Sequence, residues 1–136
     1  MGTGLEYYYL CPFNHNLEQG AGIGQHICKA VSKNRYCVEY IANTDGEIYA
    51  GYMPSSFHMY DNATVYEGKD VTPQTHLNKN MFQRIGWRFC GWNTQPDGSG
   101  AFYPDEAEIW NLCAEQYDAE DDRGKVRLYA VWKRCT

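Results

Sequence analysis

The sequence predicts a β-dominant α+β domain, and three observations support this fold class. Aromatic residues make up 15% of the chain, including 12 tyrosines, and aromatic side chains suit the half-buried surface of a sheet. Residues 36–42 and 125–132 alternate as strands do. Residues 105–117 are the best candidate for a short helix. A length of 136 residues fits one domain with a modest core and an additional arm.

The first predicted unit is an N-terminal arm, residues 1–34, which precedes the main domain at residues 35–136. The run "EYYYLCPF" is predicted to be an edge strand that ends at Pro12. The run "GAGIG" at 20–24 is a predicted loop, and it lacks the spacing and flanking elements of a nucleotide-binding loop. We expect this arm to pack on the main domain or on a neighbouring subunit.

The main domain opens with a predicted strand, "YCVEYIA", whose alternation places its two tyrosines and Val38 on one face. Asp45 and Gly46 predict a turn, because both residue types adopt positive φ readily. The segment "TVYEGKDVT" predicts another short strand, which ends at Gly68.

The segment "MFQRIGWRFCGW" is predicted to be a strand with Trp87 and Phe89 on one face and Cys90 and Trp92 on the other. The following "DGSG" predicts a hairpin turn. A calcium loop is not expected there, because such a loop needs several carboxylates and only Asp97 is available.

The remaining elements are a helix and a final strand. The run "DEAEIWNLCAEQY" has Asp105 near its start and predicts the helix. The run "KVRLYAVW" predicts a strand with Leu128, Ala130 and Trp132 on one face. Between the two, the acidic residues 118–124 are expected to form a solvated loop.

The charge balance excludes some partners. The chain has 17 carboxylates against 12 lysines and arginines, a net charge of -5, which argues against a nucleic-acid partner. No apolar run is long enough to cross a membrane, so membrane insertion is not expected. The opening residues lack a basic segment followed by an apolar run, so a signal peptide is not predicted.

The cysteines are scattered singly, without the close pairs of a structural zinc site, so no metal is expected. Their even number predicts disulfides, within the chain or between subunits, although several could instead be small apolar core residues. The candidates are Cys11, Cys28, Cys37, Cys90, Cys113 and Cys135.

A catalytic reading of these cysteines has little support. A cysteine nucleophile needs a histidine partner, and only His26 lies close in sequence to a cysteine, Cys28. We therefore expect no catalytic residue and no cofactor. A cysteine-dependent enzyme remains a remote alternative.

Several segments occur in the order of one known family. The central run "NKNMFQRIGWRFCGWNTQPDGSGAFYP" and the later "VRLYAVWK" resemble the Listeria–Bacteroides repeat, also called the internalin B-repeat, over about residues 36–133. The matching positions are Phe82, Gly86, Phe89, Gly91, Trp92, Asn93, Asp97, Gly98, Gly100, Tyr103, Leu128, Tyr129 and Trp132.

The resemblance implies a β-grasp, ubiquitin-like fold and a non-catalytic role as a spacer or adhesion module outside the cell. It implies structural roles for the matched residues: aromatic side chains fill the core, glycines fit tight turns, and Asn93 bonds to the turn backbone. The chain departs from the family in having one copy instead of a tandem array, insertions at 43–75 and 104–125, several cysteines, and no counterpart for residues 1–34.

Tyrosine is more abundant than one small core requires, which predicts a protein interface, because tyrosine combines a large contact area with a polar tip. The interface candidates are Tyr7, Tyr8, Tyr9, Tyr49 and Tyr52. The alternative is that the longer loops bury these rings internally.

Together these observations predict a structural protein that acts outside the cell or on a virion surface and binds protein partners, either copies of itself or other subunits. A phage capsid decoration or tail protein is the main expectation, because one repeat copy is combined with an arm and with cysteines that could form intersubunit disulfides. An adhesion or spacer module of a bacterial surface protein is the alternative.

Overall fold

Strands dominate the computed structural model, which describes residues 34–121 and 123–135. Helix within these residues is limited to one 3₁₀ turn, Tyr60–Asn62. The strands are β1 (Arg35–Ile41), β2 (Ser56–Met59), β3 (Val65–Tyr66), β4 (Lys69–Asp70), β5 (Trp87–Asn93), β6 (Phe102–Tyr103), β7 (Gln116–Asp118) and β8 (Arg123–Arg134). The β-dominant prediction is confirmed. The predicted arm at 1–34 lies, apart from Asn34, outside the described residues.

The main sheet has the strand order β2-β1-β8-β5-β6, and β7 also pairs with β8. The central pair, β1 and β8, is parallel, with Tyr36 opposite Gly124 and Ile41 opposite Tyr129. The other pairings in this sheet are antiparallel. Strands β3 and β4 form a separate hairpin around Gly68, where the sequence predicts a single strand.

One face of the main sheet carries the core. Leu128 and Ala130 of β8 are buried and Trp132 packs against the core, as the sequence predicts. Val126 is buried on the same face. The tyrosines of β1 and Val38 lie beside them, and Trp92 of β5 is fully buried. The core therefore rests on period-two alternation in adjacent strands.

Irregular chain covers this core where the sequence predicts a helix, so the helix prediction for residues 105–117 is wrong. The Ile109 amide donates to the Thr75 carbonyl at 2.9 Å, which pairs this segment with residues 75–77 as a short β-bridge. Glu106 and Asn111 have left-handed φ angles of 58° and 47°. The buried pairing outweighs the helix propensity of the segment, which is a weak local preference.

Strand β5 contains a β-bulge that corrects a second prediction. Phe89 pairs with Trp132 and Gly91 pairs with Val131, so Cys90 is an extra residue. The bulge shifts the alternation of side chains between the two faces of the sheet by one residue. The rings of Phe89 and Trp92 therefore meet, with centroids 5.0 Å apart. The predicted placement of these two rings on opposite faces is wrong.

The turn after β5 is fixed by its own side chains. The Asn93 Oδ1 atom accepts from the amides of Gln95 and Gly100, both at 2.9 Å, and Nδ2 donates to the Gly98 carbonyl at 3.2 Å. Asp97 accepts from the Ser99 amide at 3.0 Å. These bonds satisfy the turn backbone internally and return the chain to β6.

Candidate interaction surface

Two loops distant in sequence lie side by side at one end of the sheet. Ala50 and Gln83 exchange two backbone hydrogen bonds, each 2.9 Å long. Gly51 packs so closely that an added Cβ would lie 2.0 Å from the Met81 carbonyl oxygen. At the other end of the contact, the Arg84 guanidinium is 2.7 Å from the Glu47 carboxylate. Loops 44–53 and 81–86 are therefore tied together along their length.

Both of the joined loops carry exposed apolar side chains. The loop around Ala50 carries Ile48 and Tyr52, and the loop around Gln83 carries Met81 and Ile85. Ile48 is 92% exposed, Ile85 99% and Tyr52 78%. We call the exposed set the apolar ridge: Ile48, Tyr49, Tyr52, Met81 and Ile85. Clustered apolar side chains in water mark interaction sites more often than single ones do.

The apolar ridge has a rigid base. The Arg84 guanidinium lies 3.9 Å from the ring centroid of Trp87 and also donates to the Thr44 carbonyl at 3.3 Å. Phe82, which is buried, meets the Tyr49 ring edge-on at 5.5 Å. Loops held in this way lose little conformational entropy on binding, which favours a ready-formed binding surface.

The sequence predicted part of this surface. Tyr49 and Tyr52 were predicted interface residues, and both lie on the apolar ridge. The predicted candidates Tyr7, Tyr8 and Tyr9 lie outside the described residues. Sequence reasoning missed Met81 and the two isoleucines. The available signal was an isolated isoleucine within each polar turn run, "DGEIY" and "QRIGW".

The residues that carry the family resemblance lie mainly in the core and in turns. Phe82, Trp92 and Leu128 are buried, and Phe89, Tyr103 and Trp132 pack against the core. Asn93, Asp97, Gly98 and Gly100 lie in or beside the turn between β5 and β6. These positions support the fold, and the apolar ridge is a separate feature.

A buried chain of hydrogen bonds runs from Asn78 to Gln74. The Asn78 amide donates to the Tyr40 hydroxyl at 2.9 Å, and Tyr40 contacts the Ser56 hydroxyl at 2.7 Å. Ser56 contacts His58 Nε2 at 2.7 Å, and His58 Nδ1 contacts the Gln74 carbonyl at 2.8 Å. A carbonyl only accepts, so we assign the His58 proton to Nδ1. Nε2 then accepts from Ser56, and Ser56 accepts from Tyr40.

This chain contains a serine–histidine pair but lacks the access that a nucleophile needs. Ser56 is 2% exposed and His58 3% exposed, so the hydroxyl lies in the interior. The group that orients His58 is a carbonyl, whereas hydrolytic triads use a carboxylate or an amide. Burial lowers the pKa of His58 below 6.5, which matches a neutral ring in a satisfied network. The arrangement is structural.

The described cysteines differ in accessibility. Cys37, Cys90 and Cys135 carry free thiols, so these three disulfide candidates are not joined to one another. Cys37 and Cys113 are buried, and burial raises the pKa of the Cys37 thiol. Cys90 and Cys135 are exposed. The candidates Cys11 and Cys28, and with them the pair of Cys28 and His26, lie outside the described residues.

The described residues contain neither a metal-binding cluster nor a membrane-spanning helix. Across residues 34–121 and 123–135, no three or more histidine, cysteine or acidic side chains group in a way that could hold a metal ion. The same part of the chain contains no helix with the length and apolar character needed to span a bilayer.

Comparison with protein-family models, with curated proteins and with solved structures gives no match for this chain. The similarity to the Listeria–Bacteroides repeat therefore rests on the motif residues alone.

Proposed function

We propose that this chain is a non-catalytic interaction protein that acts outside the cell and binds a protein surface through its apolar ridge. The near-complete exposure of Ile48 and Ile85, which lie on the two loops that the Ala50–Gln83 bridge joins, is the observation that carries the proposal. Interface cores are enriched in large apolar and aromatic side chains and depleted of charge. The ridge has this composition, and its neighbouring Glu47 and Arg84 neutralise each other.

The sheet supports a β-grasp assignment for the domain. A β-grasp sheet is mixed, and its first and last strands lie parallel at the centre, as β1 and β8 do here. This domain differs from a β-grasp in the segments that cover its core. A β-grasp domain packs a helix there, whereas the described residues cover the core with irregular segments and one 3₁₀ turn. The family resemblance and the strand order both support the β-grasp proposal.

The partner that fits best is another subunit of a larger particle, such as a phage virion. A domain with a preformed apolar surface suits docking into an assembly. A net charge of -5 disfavours direct contact with nucleic acid. The exposed thiols of Cys90 and Cys135 offer covalent links between neighbouring subunits once the surroundings become oxidising.

An adhesion or spacer module of a bacterial surface protein is the second candidate, favoured by the resemblance to the repeat family. Both roles use the same fold, and they differ in where the protein is found. Fractionation of the native source separates them, because a virion subunit sediments with particles and a surface module remains with the cell envelope.

The ridge itself is tested by single substitutions, Ile48→Ser and Ile85→Ser, with Val65→Ser as the matched control. Val65 is also an exposed apolar residue, but it lies on the separate β3–β4 hairpin. Because all three side chains are exposed, the free energy of unfolding should change by no more than about 0.5 kcal/mol.

Association is measured by sedimentation velocity for self-assembly and by co-sedimentation with native particles. We expect each isoleucine variant to weaken association at least about tenfold, as truncation of a central apolar contact does, and the Val65 variant to behave as the unmodified protein. Association that is unchanged in both isoleucine variants would falsify the proposal, as would a strictly monomeric chain that binds neither particle nor envelope.

A further inference from the structure

A cavity of about 380 Å³ opens between the β2 edge and the β3–β4 region, in residues distinct from the apolar ridge. Its wall is largely apolar and aromatic, with the rings of Tyr36, Phe57 and Tyr66 and the side chains of Met59 and Val71. This volume lies in the range of sites that hold small molecules. The wall therefore suits a ligand with a compact apolar body.

Two arginines add positive charge to this wall. Arg35 begins β1 and Arg123 begins β8, and both line the cavity. Because Tyr36 lies opposite Gly124 in the parallel pair, the preceding residues, Arg35 and Arg123, are neighbours across the two strands. Among the described residues, those that line the cavity include no carboxylate. The described part of the wall thus carries a net positive charge.

The two guanidinium groups are held in place but incompletely paired. The Arg35 Cζ atom lies 4.6 Å from the Tyr66 ring centroid, and the Arg123 Cζ atom lies 4.6 Å from that of Phe57. Arg35 Nη2 donates to the Asp121 carbonyl at 2.5 Å, whereas Arg123 Nη2 is 4.0 Å from the Asp121 carboxylate.

Both Nε atoms are buried and have no hydrogen-bond partner among the described residues. A buried donor without a hydrogen-bond partner destabilises the fold, and so do like charges on adjacent side chains. A bound anion reduces both unfavourable contributions.

We infer that this cavity binds a small organic monoanion: a carboxylate that meets the two arginines, attached to an aromatic or branched apolar body that packs on the rings. Guanidinium groups match the planar geometry of a carboxylate. A single charge suits the site better than a phosphate, because Asp121 already takes part of the donor capacity and the remaining wall is apolar. This inference does not depend on the function proposed for the apolar ridge.

The first test is an NMR titration of the full chain with benzoate, phenylacetate and isovalerate, with benzamide as the neutral counterpart of benzoate and inorganic phosphate as the bare anion. We expect at least one acid to give saturable shifts at Val71 and Thr72. Benzamide should bind at least about tenfold more weakly than benzoate, because a charge-assisted hydrogen bond contributes more than a neutral one. Phosphate should give no saturable shift.

The second test uses Arg35→Gln and Arg123→Gln, with Arg127→Gln as the matched control. Arg127 lies on the same strand as Arg123, but it pairs with Glu39 and does not line the cavity. Each cavity variant should weaken binding of the best acid at least about tenfold, for the same electrostatic reason, and the control should leave it unchanged. Thr72→Trp, at an exposed residue of the cavity wall, should block binding without disturbing the core.

Four results would overturn the inference. They are no saturable binding by any of the three acids, equal affinity for benzoate and benzamide, tighter binding of phosphate than of benzoate, and an equal loss in the Arg127 and Arg123 variants. If an arginine variant fails to fold, the titration of Thr72→Trp still decides: unchanged acid binding in that variant places the ligand elsewhere.

Discussion

At the residue scale, the hydrogen-bond chain through His58 fixes one protonation state. With Nδ1 donating to the Gln74 carbonyl, Nε2 must accept from Ser56, whose own oxygen accepts from Tyr40. A second proton on the imidazole would face the Ser56 hydroxyl proton. The hydrogen bonds between His58, Ser56 and Tyr40 would then have to reverse their donor direction. The network and the burial of the ring therefore act together against the charged form.

This arrangement predicts an acid-dependent loss of stability. Burial lowers the pKa of His58, outweighing the opposite effect of its bond to Gln74. The unfolded chain therefore takes up a proton near pH 6.5, and the folded chain takes it up only at lower pH. The free energy of unfolding should fall as pH drops below 6.5, by at most about 1.4 kcal/mol per pH unit from this group.

The contribution of His58 is isolated by urea unfolding across the range from about pH 5 to 8. His58→Gln should show a flatter decline in the free energy of unfolding than the unmodified chain. His76→Gln, at an exposed histidine, should decline as the unmodified chain does. An equal slope in the His58 variant and the unmodified chain would show that another group causes the acid sensitivity.

At the element scale, the bulge in β5 depends on a glycine. Gly91 has a φ of 151°, and an added Cβ would lie 2.4 Å from the Phe102 ring and 2.8 Å from the Tyr103 carbonyl. Strand β6 therefore approaches β5 more closely than any side chain at position 91 allows. The same bulge lets Phe89 and Trp92 reach one core.

Gly91→Ala should lower the free energy of unfolding by about 2 to 3 kcal/mol, because it forces Phe102 and the backbone of β6 to move. Gly86→Ala is the control: this glycine also has a positive φ, 86°, but no atom lies within 4 Å of the added Cβ. Gly86→Ala should lower the free energy of unfolding by about 1 kcal/mol, because only the backbone conformation opposes it. Chemical denaturation measures the free energy of unfolding of both variants. An equal loss in the two would mean that the close approach of β6 does not restrict the residue at position 91.

The elements also show what sequence patterns can predict. The alternation of apolar and polar residues was sufficient to predict β1 and β8, because residues two apart within one strand form the buried face. The bulge at Cys90 was not predictable, because it exists only in the pairing with β8. The helix prediction at 105–117 failed for the same reason: Ile109 pairs with Thr75, a residue far away in sequence.

The candidate site was predictable only in part. The abundance of tyrosine predicted an interface and included Tyr49 and Tyr52. The apolar ridge needs the contact between two separate loops, and the cavity needs Arg35 and Arg123 on adjacent strands. Neither contact leaves a local pattern, because each depends on which strands become neighbours.

At the scale of the whole molecule, thiol accessibility divides the free cysteines into two classes. Cys90 and Cys135 are exposed, whereas Cys37 is buried in β1 and its pKa is raised by burial. Because the thiolate is the reactive form, both effects protect Cys37. Among the described cysteines, the exposed pair is therefore the one that the proposed links between subunits would use.

Brief labelling of the native protein with iodoacetamide, followed by peptide mass mapping, should modify Cys90 and Cys135 rapidly and leave Cys37 largely unmodified. In denaturant all three should react at similar rates, because the protection comes from the fold. Rapid native labelling of Cys37 would contradict its placement in the interior, and resistance of both exposed thiols would argue against their use as links.

The parallel pairing of β1 with β8 also decides the order in which the molecule can form. A ribosome releases β1 and β2 long before β8, so on the nascent chain β1 has an open edge beside its hairpin partner. Strand β8 joins β1, β5 and β7, and none of these pairings exists until it has been synthesised. The last strand is therefore the one that closes the sheet. Contacts between such distant segments favour slow folding after synthesis. Until β8 pairs with β1, the β1–β2 hairpin is exposed to aggregation.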